Sequence, residues 1–156
     1  MEIANRRLKK ELIGLSSRPP EGISCYQKEN RINSLIATIS GPQGTPYEGG
    51  LFDIQVDVDE RYPFHPPTLK FLTPVYHPNI DTAGRICMDL LKISPKQGHE
   101  GWKPTVTLEI LLVAVRLLLK DPNPDDPLMP DIANEYRLNR SVFDKKAKKF
   151  TTVHAK

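Results

Sequence analysis

Asn79 and Cys87 stand eight positions apart in the run Tyr76-His77-Pro78-Asn79-Ile80, Asp81-Thr82-Ala83-Gly84, Arg85-Ile86-Cys87-Met88-Asp89. Pro78 fixes its own φ and removes a donor, and Asp81 to Gly84 are turn formers, so the chain can double back and bring the amide and the thiol to one patch of surface. A side-chain amide N–H beside a sulfur nucleophile is an oxyanion donor for an acyl group. A hydrolytic pair would need a base, and the one histidine near in sequence is His77, which Pro78 separates from Asn79. A cysteine that takes up an acyl group without a water-activating base holds a thioester and hands it on. That chemistry is acyl transfer. Asn79 has a second reading as a turn former after proline, and a free cysteine has one as a small buried hydrophobe. Cys25, set among β-branched and aromatic residues, takes the buried reading.

The elements that must position these residues follow from periodicity. Residues 3–17 carry Ile3, Leu8, Leu12 and Leu15 on one stripe with basic residues opposite, which predicts an amphipathic helix that Pro19-Pro20 stops. Strands are predicted at Ile23–Tyr26, Asn33–Ser40, Leu51–Val58 and Thr68–Phe71. In the third, Phe52, Ile54, Val56 and Val58 alternate with Asp53, Gln55 and Asp57. Gly41 to Thr45 and Gly49-Gly50 are turn punctuation, and such short connections favour an antiparallel meander over βαβ units. Residues 74–104 have no regular period and hold the cysteine. A central helix is predicted from Thr107 to Lys120; ten of those fourteen residues are apolar, too many for one stripe, so the helix is either buried on several sides or keeps an apolar face for a partner. Asp121-Pro122 ends it, and helices at 130–139 and 141–154 close the chain. The fold class is α+β.

Composition narrows the functional classes. At 156 residues, 38% apolar and 26% charged, the sequence reads as one globular domain, 1–156, without a substantial extension at either end. Proline, 15 of 156, is well above the usual roughly 5%. The prolines cluster at 63–67, 74–78 and 122–130 among aromatic and aliphatic residues, which marks ordered loops. The net charge of +3 is concentrated in Arg6, Arg7, Lys9 and Lys10 and in Lys145, Lys146, Lys148 and Lys149. No aromatic residues are interleaved with these as a stacking platform would require, so no direct nucleic-acid partner is expected. Two free cysteines fit a reducing compartment, and with four scattered histidines they show no metal-ligand spacing. There is no apolar signal segment, and the run Ile110 to Leu119 is too short for a bilayer. The expectation is a monomer of the cytoplasm and/or nucleus.

In these motifs the chain resembles the ubiquitin-conjugating enzyme family. Besides the His77-Pro78-Asn79 motif and Cys87, the resemblance includes Gly41-Pro42, Thr45-Pro46-Tyr47-Glu48-Gly49-Gly50, Tyr62-Pro63-Phe64-His65-Pro66-Pro67, Trp102-Lys103-Pro104 and Asp121 to Leu128. It implies the UBC fold: an N-terminal helix, a four-stranded meander, an active-site loop, a central helix and two C-terminal helices. It implies Cys87 as the thioester nucleophile, Asn79 as oxyanion donor or loop organiser, and Asp126 as the carboxylate that orients an acceptor lysine and helps it lose its proton. His77, Pro78 and Asp89 would shape the site. The implied partners are ubiquitin, its activating enzyme, a RING-type ligase and a protein substrate, with no membrane. No cofactor is implied, ATP being used by the upstream activating enzyme. Ligase binding falls to Arg6, Arg7, Lys10, Pro63, Phe64, Trp102 and Pro104, the two aromatics serving as exposed anchors.

Fifteen positions separate Cys87 from Trp102, more than in the shortest family members. With Leu91-Lys92 and Pro95-Lys96-Gln97-Gly98 this segment resembles the T-type branch, linked to Fanconi-anaemia DNA crosslink repair, although the loop is a few residues longer than in that branch. Lys92 and Lys96, close in sequence to Cys87, are candidates for self-modification. Two other readings stay open: a conjugating enzyme for a different ubiquitin-like modifier, and a non-catalytic scaffold variant, against which the presence of both Cys87 and Asn79 argues.

Overall fold

The computed structural model describes residues 2–94, 97, 98 and 100–156. The elements run α1 (Glu2–Ser17), β1 (Ile23–Lys28), β2 (Arg31–Ser40), β3 (Leu51–Asp57), β4 (Thr68–Phe71), α2 (Leu108–Lys120), α3 (Pro130–Leu138) and α4 (Arg140–His154). The strands form one sheet in the order β1-β2-β3-β4, every neighbour antiparallel. The α+β meander is as expected, with element ends displaced by a residue or two. One row across the sheet joins Cys25, Ala37, Ile54 and Phe71. Because side chains alternate along a strand, this row and its period-two neighbours form a single buried face. In β3, Phe52, Ile54 and Val56 are buried as their alternation requires.

Helix α2 resolves its excess of apolar residues in the second of the two expected ways, with one buried stripe and an apolar face left exposed. Leu108, Leu111, Leu112, Val115 and Leu119 are buried, while Ile110 and Leu117 are exposed on the opposite side. Thr107 caps its start, accepting the Ile110 N–H. A side chain that sequence reasoning passed over completes that start. Glu11 of α1 accepts the Leu108 N–H at 2.7 Å through one carboxylate oxygen and the Tyr62 hydroxyl at 2.6 Å through the other. A carboxylate at a helix N-terminus meets both orphan N–H groups and the positive end of the helix dipole. Arg7 extends the joint. It pairs with Glu11 at 3.1 Å, lies over the Tyr62 ring and donates to the carbonyls of Pro104 and Val106. α1, the 61–65 loop and the 102–106 loop are thereby gathered at one end of the domain.

A 3-10 turn, Asp89–Leu91, lies two residues beyond Cys87, where no period was visible in the sequence. The long segment after it is pinched at its base, because the Trp102 N–H donates to the Lys92 carbonyl at 2.8 Å. The flanks of the extra length, Lys92 and Trp102, are thereby held together. No helix among the described residues is long and apolar enough to cross a membrane.

Candidate active site

The cysteine loop is laid down against β4. Asp81 accepts the N–H groups of Ala83 and Arg85 through one oxygen and pairs with the Arg85 guanidinium at 2.6 Å through the other. Gly84, at φ +87°, turns the chain so that its carbonyl receives the Phe71 N–H; a Cβ there would come within 2.1 Å of the Phe71 carbonyl oxygen. The chain returns alongside itself, Ile80 facing Ile86, and the Cys87 N–H donates to the Asn79 carbonyl at 2.9 Å. The doubling-back expected of this run is present, and it sets Asn79 and Cys87 side by side in backbone terms.

The Asn79 side chain does not turn toward the sulfur. It is fully buried, and its Nδ2 donates to the carbonyls of Asn123 at 2.8 Å and Asp126 at 3.0 Å, while Oδ1 accepts the Asn123 N–H at 2.8 Å. Both amide hydrogens are committed, so a donation to an oxyanion requires one of these bonds to be given up. The Asn79 amide is thus engaged with the 123–126 loop and not with the sulfur. Pro78 helps: its carbonyl receives the N–H groups of both Leu128 and Met129 at 3.0 Å.

These bonds deliver Asp126 to the cysteine. Its Oδ2 lies 3.4 Å from Cys87 Sγ and 3.1 Å from Lys92 Nζ, and Lys92 also meets Asp89 at 3.2 Å. Asp89 thus reaches the site through Lys92. Burial and the neighbouring Asp126 carboxylate push the Cys87 thiol pKa up, and the Lys92 ammonium opposes them. The resting sulfur is a thiol that donates to Asp126. For Lys92 burial works against the charge, but the bonds to Asp126 and Asp89 outweigh it and raise its pKa. Lys96 lies outside the described residues. Cys25, half-buried in β1, has its thiol pushed up to about 11 by burial and packs against the core, as its buried reading requires.

His77 is completely buried and fully engaged. Nε2 bonds the Leu118 carbonyl of α2 at 2.7 Å, and Nδ1 accepts the Asn79 N–H at 2.9 Å, which together specify the Nε2–H tautomer. Its ring packs beside Tyr47, whose hydroxyl donates to the Tyr76 carbonyl. No nitrogen remains to serve as a base.

The partner-binding candidates divide. Phe64 is 65% exposed, whereas Trp102 is 8% exposed. The expectation of two exposed anchors is corrected for Trp102. Its indole packs on Tyr62, and its N–H donates to the Pro63 carbonyl at 2.8 Å, the partner a buried indole needs. Pro63 is buried with it, while Pro104, Arg6 and Lys10 are exposed and Arg7 is half-buried in the brace already described.

A family model described as ubiquitin-conjugating enzyme matches residues 7–151. This chain belongs to the ubiquitin-conjugating enzyme family. The four helices and open four-stranded sheet are its α+β UBC fold, and the protein is a ubiquitin transferase. It is 52% identical to the ubiquitin-conjugating enzyme E2 T of Xenopus laevis over 149 residues, 96% of this chain and 76% of that one. To the human E2 T it is 49% identical over 150 residues, 96% and 75% of the two chains. To a probable ubiquitin-conjugating enzyme E2 31 of Arabidopsis thaliana it is 46% identical over 132 residues, 85% and 81%. The resemblance to the T-type branch is thus carried by nearly the whole chain. The groups that the sequence did not reveal are the carbonyls of Leu118 and Asn123, which have no letter of their own, and the Glu11 side chain, whose partners are distant in sequence.

Burial pushes the His77 pKa down from 6.5 to about 4. The fold therefore holds the neutral ring, and the unfolded chain takes up a proton between those values that the fold refuses. This contribution is fully present above pH 6.5 and is lost as pH falls toward 4; at 1.36 kcal/mol per pH unit it amounts to about 3 kcal/mol. Imidazole nitrogen shifts in the folded protein at pH 5.5 are expected to report a neutral Nε2–H ring for His77. A protonated ring there contradicts the assignment.

Proposed function

We propose that Cys87 accepts the C-terminal acyl group of ubiquitin from the activating enzyme as a thioester and passes it to a lysine. The observation that carries this reading is the 3.4 Å contact of Cys87 Sγ with Asp126, in a loop held by Asn79. In loading, the thiol gives up its proton, the sulfur attacks the carbonyl carbon of the incoming thioester, and the activating enzyme's thiolate leaves. In discharge, a neutral lysine nitrogen attacks the same carbon. The Cys87 thiolate leaves, an isopeptide bond forms, and the amine's proton passes to a nearby carboxylate. Lysine has a reference pKa of about 10.4, so Asp126 contributes by orienting the amine and accepting its proton. The chemistry requires no cofactor in this chain.

A RING-type ligase would dock at the end carrying exposed Phe64, Pro104, Arg6 and Lys10, with Trp102, Pro63 and Arg7 holding that surface in shape. α1 would serve the activating enzyme as well. The protein would act as a monomer in the cytoplasm and/or nucleus, with monoubiquitination in crosslink repair as its setting, by likeness to the E2 T relatives. Without substrate, Lys92 and Lys96 would be the internal acceptors. Within this reading a different ubiquitin-like modifier is separated from ubiquitin by the loading reaction itself.

Cys87→Ser is expected to replace a reductant-sensitive adduct with a reductant-resistant oxyester, because an alkoxide is a poorer leaving group than a thiolate. The check is a loading reaction with activating enzyme, ATP and ubiquitin, resolved with and without reductant. A reductant-labile adduct on the Ser variant would move the acceptor to Cys25 or elsewhere.

Phe64→Ala is expected to weaken ligase-stimulated discharge and spare loading, since the ring is exposed on the 61–65 loop and takes no part in the bonds that hold Cys87, Asn79 and Asp126. Truncating an interface anchor costs about 2 kcal/mol of binding. Equal loss of both half-reactions would show instead that Phe64 supports the fold.

A further inference from the structure

Among the described residues, one oxygen of Asp126 meets both Cys87 and Lys92. Oδ2 lies 3.4 Å from Cys87 Sγ and 3.1 Å from Lys92 Nζ. An acceptor lysine oriented by Asp126 must place its own nitrogen against this carboxylate, within reach of the carbon bonded to sulfur. Lys92 already has an ammonium there.

The backbone keeps it there. The Lys92 N–H closes the 3-10 turn on the Asp89 carbonyl at 2.9 Å, and its carbonyl receives the Trp102 N–H at 2.8 Å. The Cα is thus fixed at the base of the pinched segment, and only the side chain is left to move. Asp89 supports the pose with a second contact at 3.2 Å. A group tethered in this way competes at high local concentration. Its side chain is 35% exposed and that of Asp126 28%, so the pair is accessible to an incoming amine and weak enough to be displaced.

We propose that Lys92 is a positioning residue that occupies the acceptor-amine position against Asp126, so that a substrate lysine must displace it before transfer. This rests on the reading of Asp126 as the residue that orients the acceptor. Lys92 then raises the lysine concentration needed for discharge and protects the loaded thioester from stray amines. Its charge has the opposite effect on the other half-reaction, since an ammonium beside the sulfur favours the thiolate needed for loading.

The test is single-turnover discharge of purified Cys87–ubiquitin thioester to free lysine over a concentration series, for wild type, Lys92→Ala, Lys92→Gln, Lys92→Arg and Asp126→Asn. Lys92→Ala and Lys92→Gln are expected to lower the half-saturating lysine concentration about two- to fivefold, the range of an exposed ion pair, with the change falling there and not in the maximal rate. Lys92→Arg restores the wild-type value because it keeps the pair. None of the three Lys92 variants carries a nucleophile at position 92, and all keep Lys96 alike, so the difference of Arg from Ala and Gln reports occupancy and not self-modification at that position. Asp126→Asn is expected to impair discharge. If it does, and the half-saturating concentration for Ala and Gln is unchanged or raised, the stand-in role is wrong while Asp126 keeps its own. If Asp126→Asn discharges like wild type, the reading of Asp126 falls, and the stand-in role with it.

Discussion

The buried amide of Asn79 bonds two loops that share no strand. Three hydrogen bonds tie it to Asn123 and Asp126, and the adjacent Pro78 carbonyl receives Leu128 and Met129. A buried amide is costly unless its donors and acceptor are all met, and a satisfied one fixes a unique arrangement. The position of Asp126 beside the cysteine depends on that arrangement. So does the local field at Cys87, where burial and a carboxylate keep the thiol protonated and a lysine opposes them.

The same amide is held from behind. The Asn79 N–H meets His77, His77 meets the Leu118 carbonyl, and Leu118 lies near the end of α2. At the other end of α2 the Leu108 N–H meets Glu11, which also holds Tyr62 beside the loop that carries Phe64. One helix therefore spans from the proposed ligase-docking end to the cysteine, with a polar fixture at each end. Burial keeps His77 neutral, and with both nitrogens engaged it holds geometry and is not reactive.

Much of this was legible in the sequence, for identifiable reasons. β3 alternates because one face of the sheet is buried, and α1 stops where Pro19-Pro20 cannot continue it. The turn chemistry between Asn79 and Cys87 correctly implied a chain that doubles back. What stayed hidden was direction. The letter N at position 79 does not say whether the amide faces the sulfur or the Asn123 loop, and the structure sends it to the loop. Trp102 shows the same limit: an aromatic in a proline-rich loop reads equally as an exposed anchor or as closure of the core, and the carbonyl of Pro63 that decides it is invisible in the sequence. Glu11 carries no signal in the sequence because its partners lie 51 and 97 positions away.

The clamp is tested most directly by amide hydrogen exchange at Asn123. This N–H sits in an irregular proline-rich loop and has Asn79 Oδ1 as its acceptor. Exchange is expected to be slowed at least about a hundredfold relative to an unstructured chain, because opening it requires the buried amide to release the 123–126 loop. Exchange of Asn123 at the unstructured rate in the folded protein would contradict it.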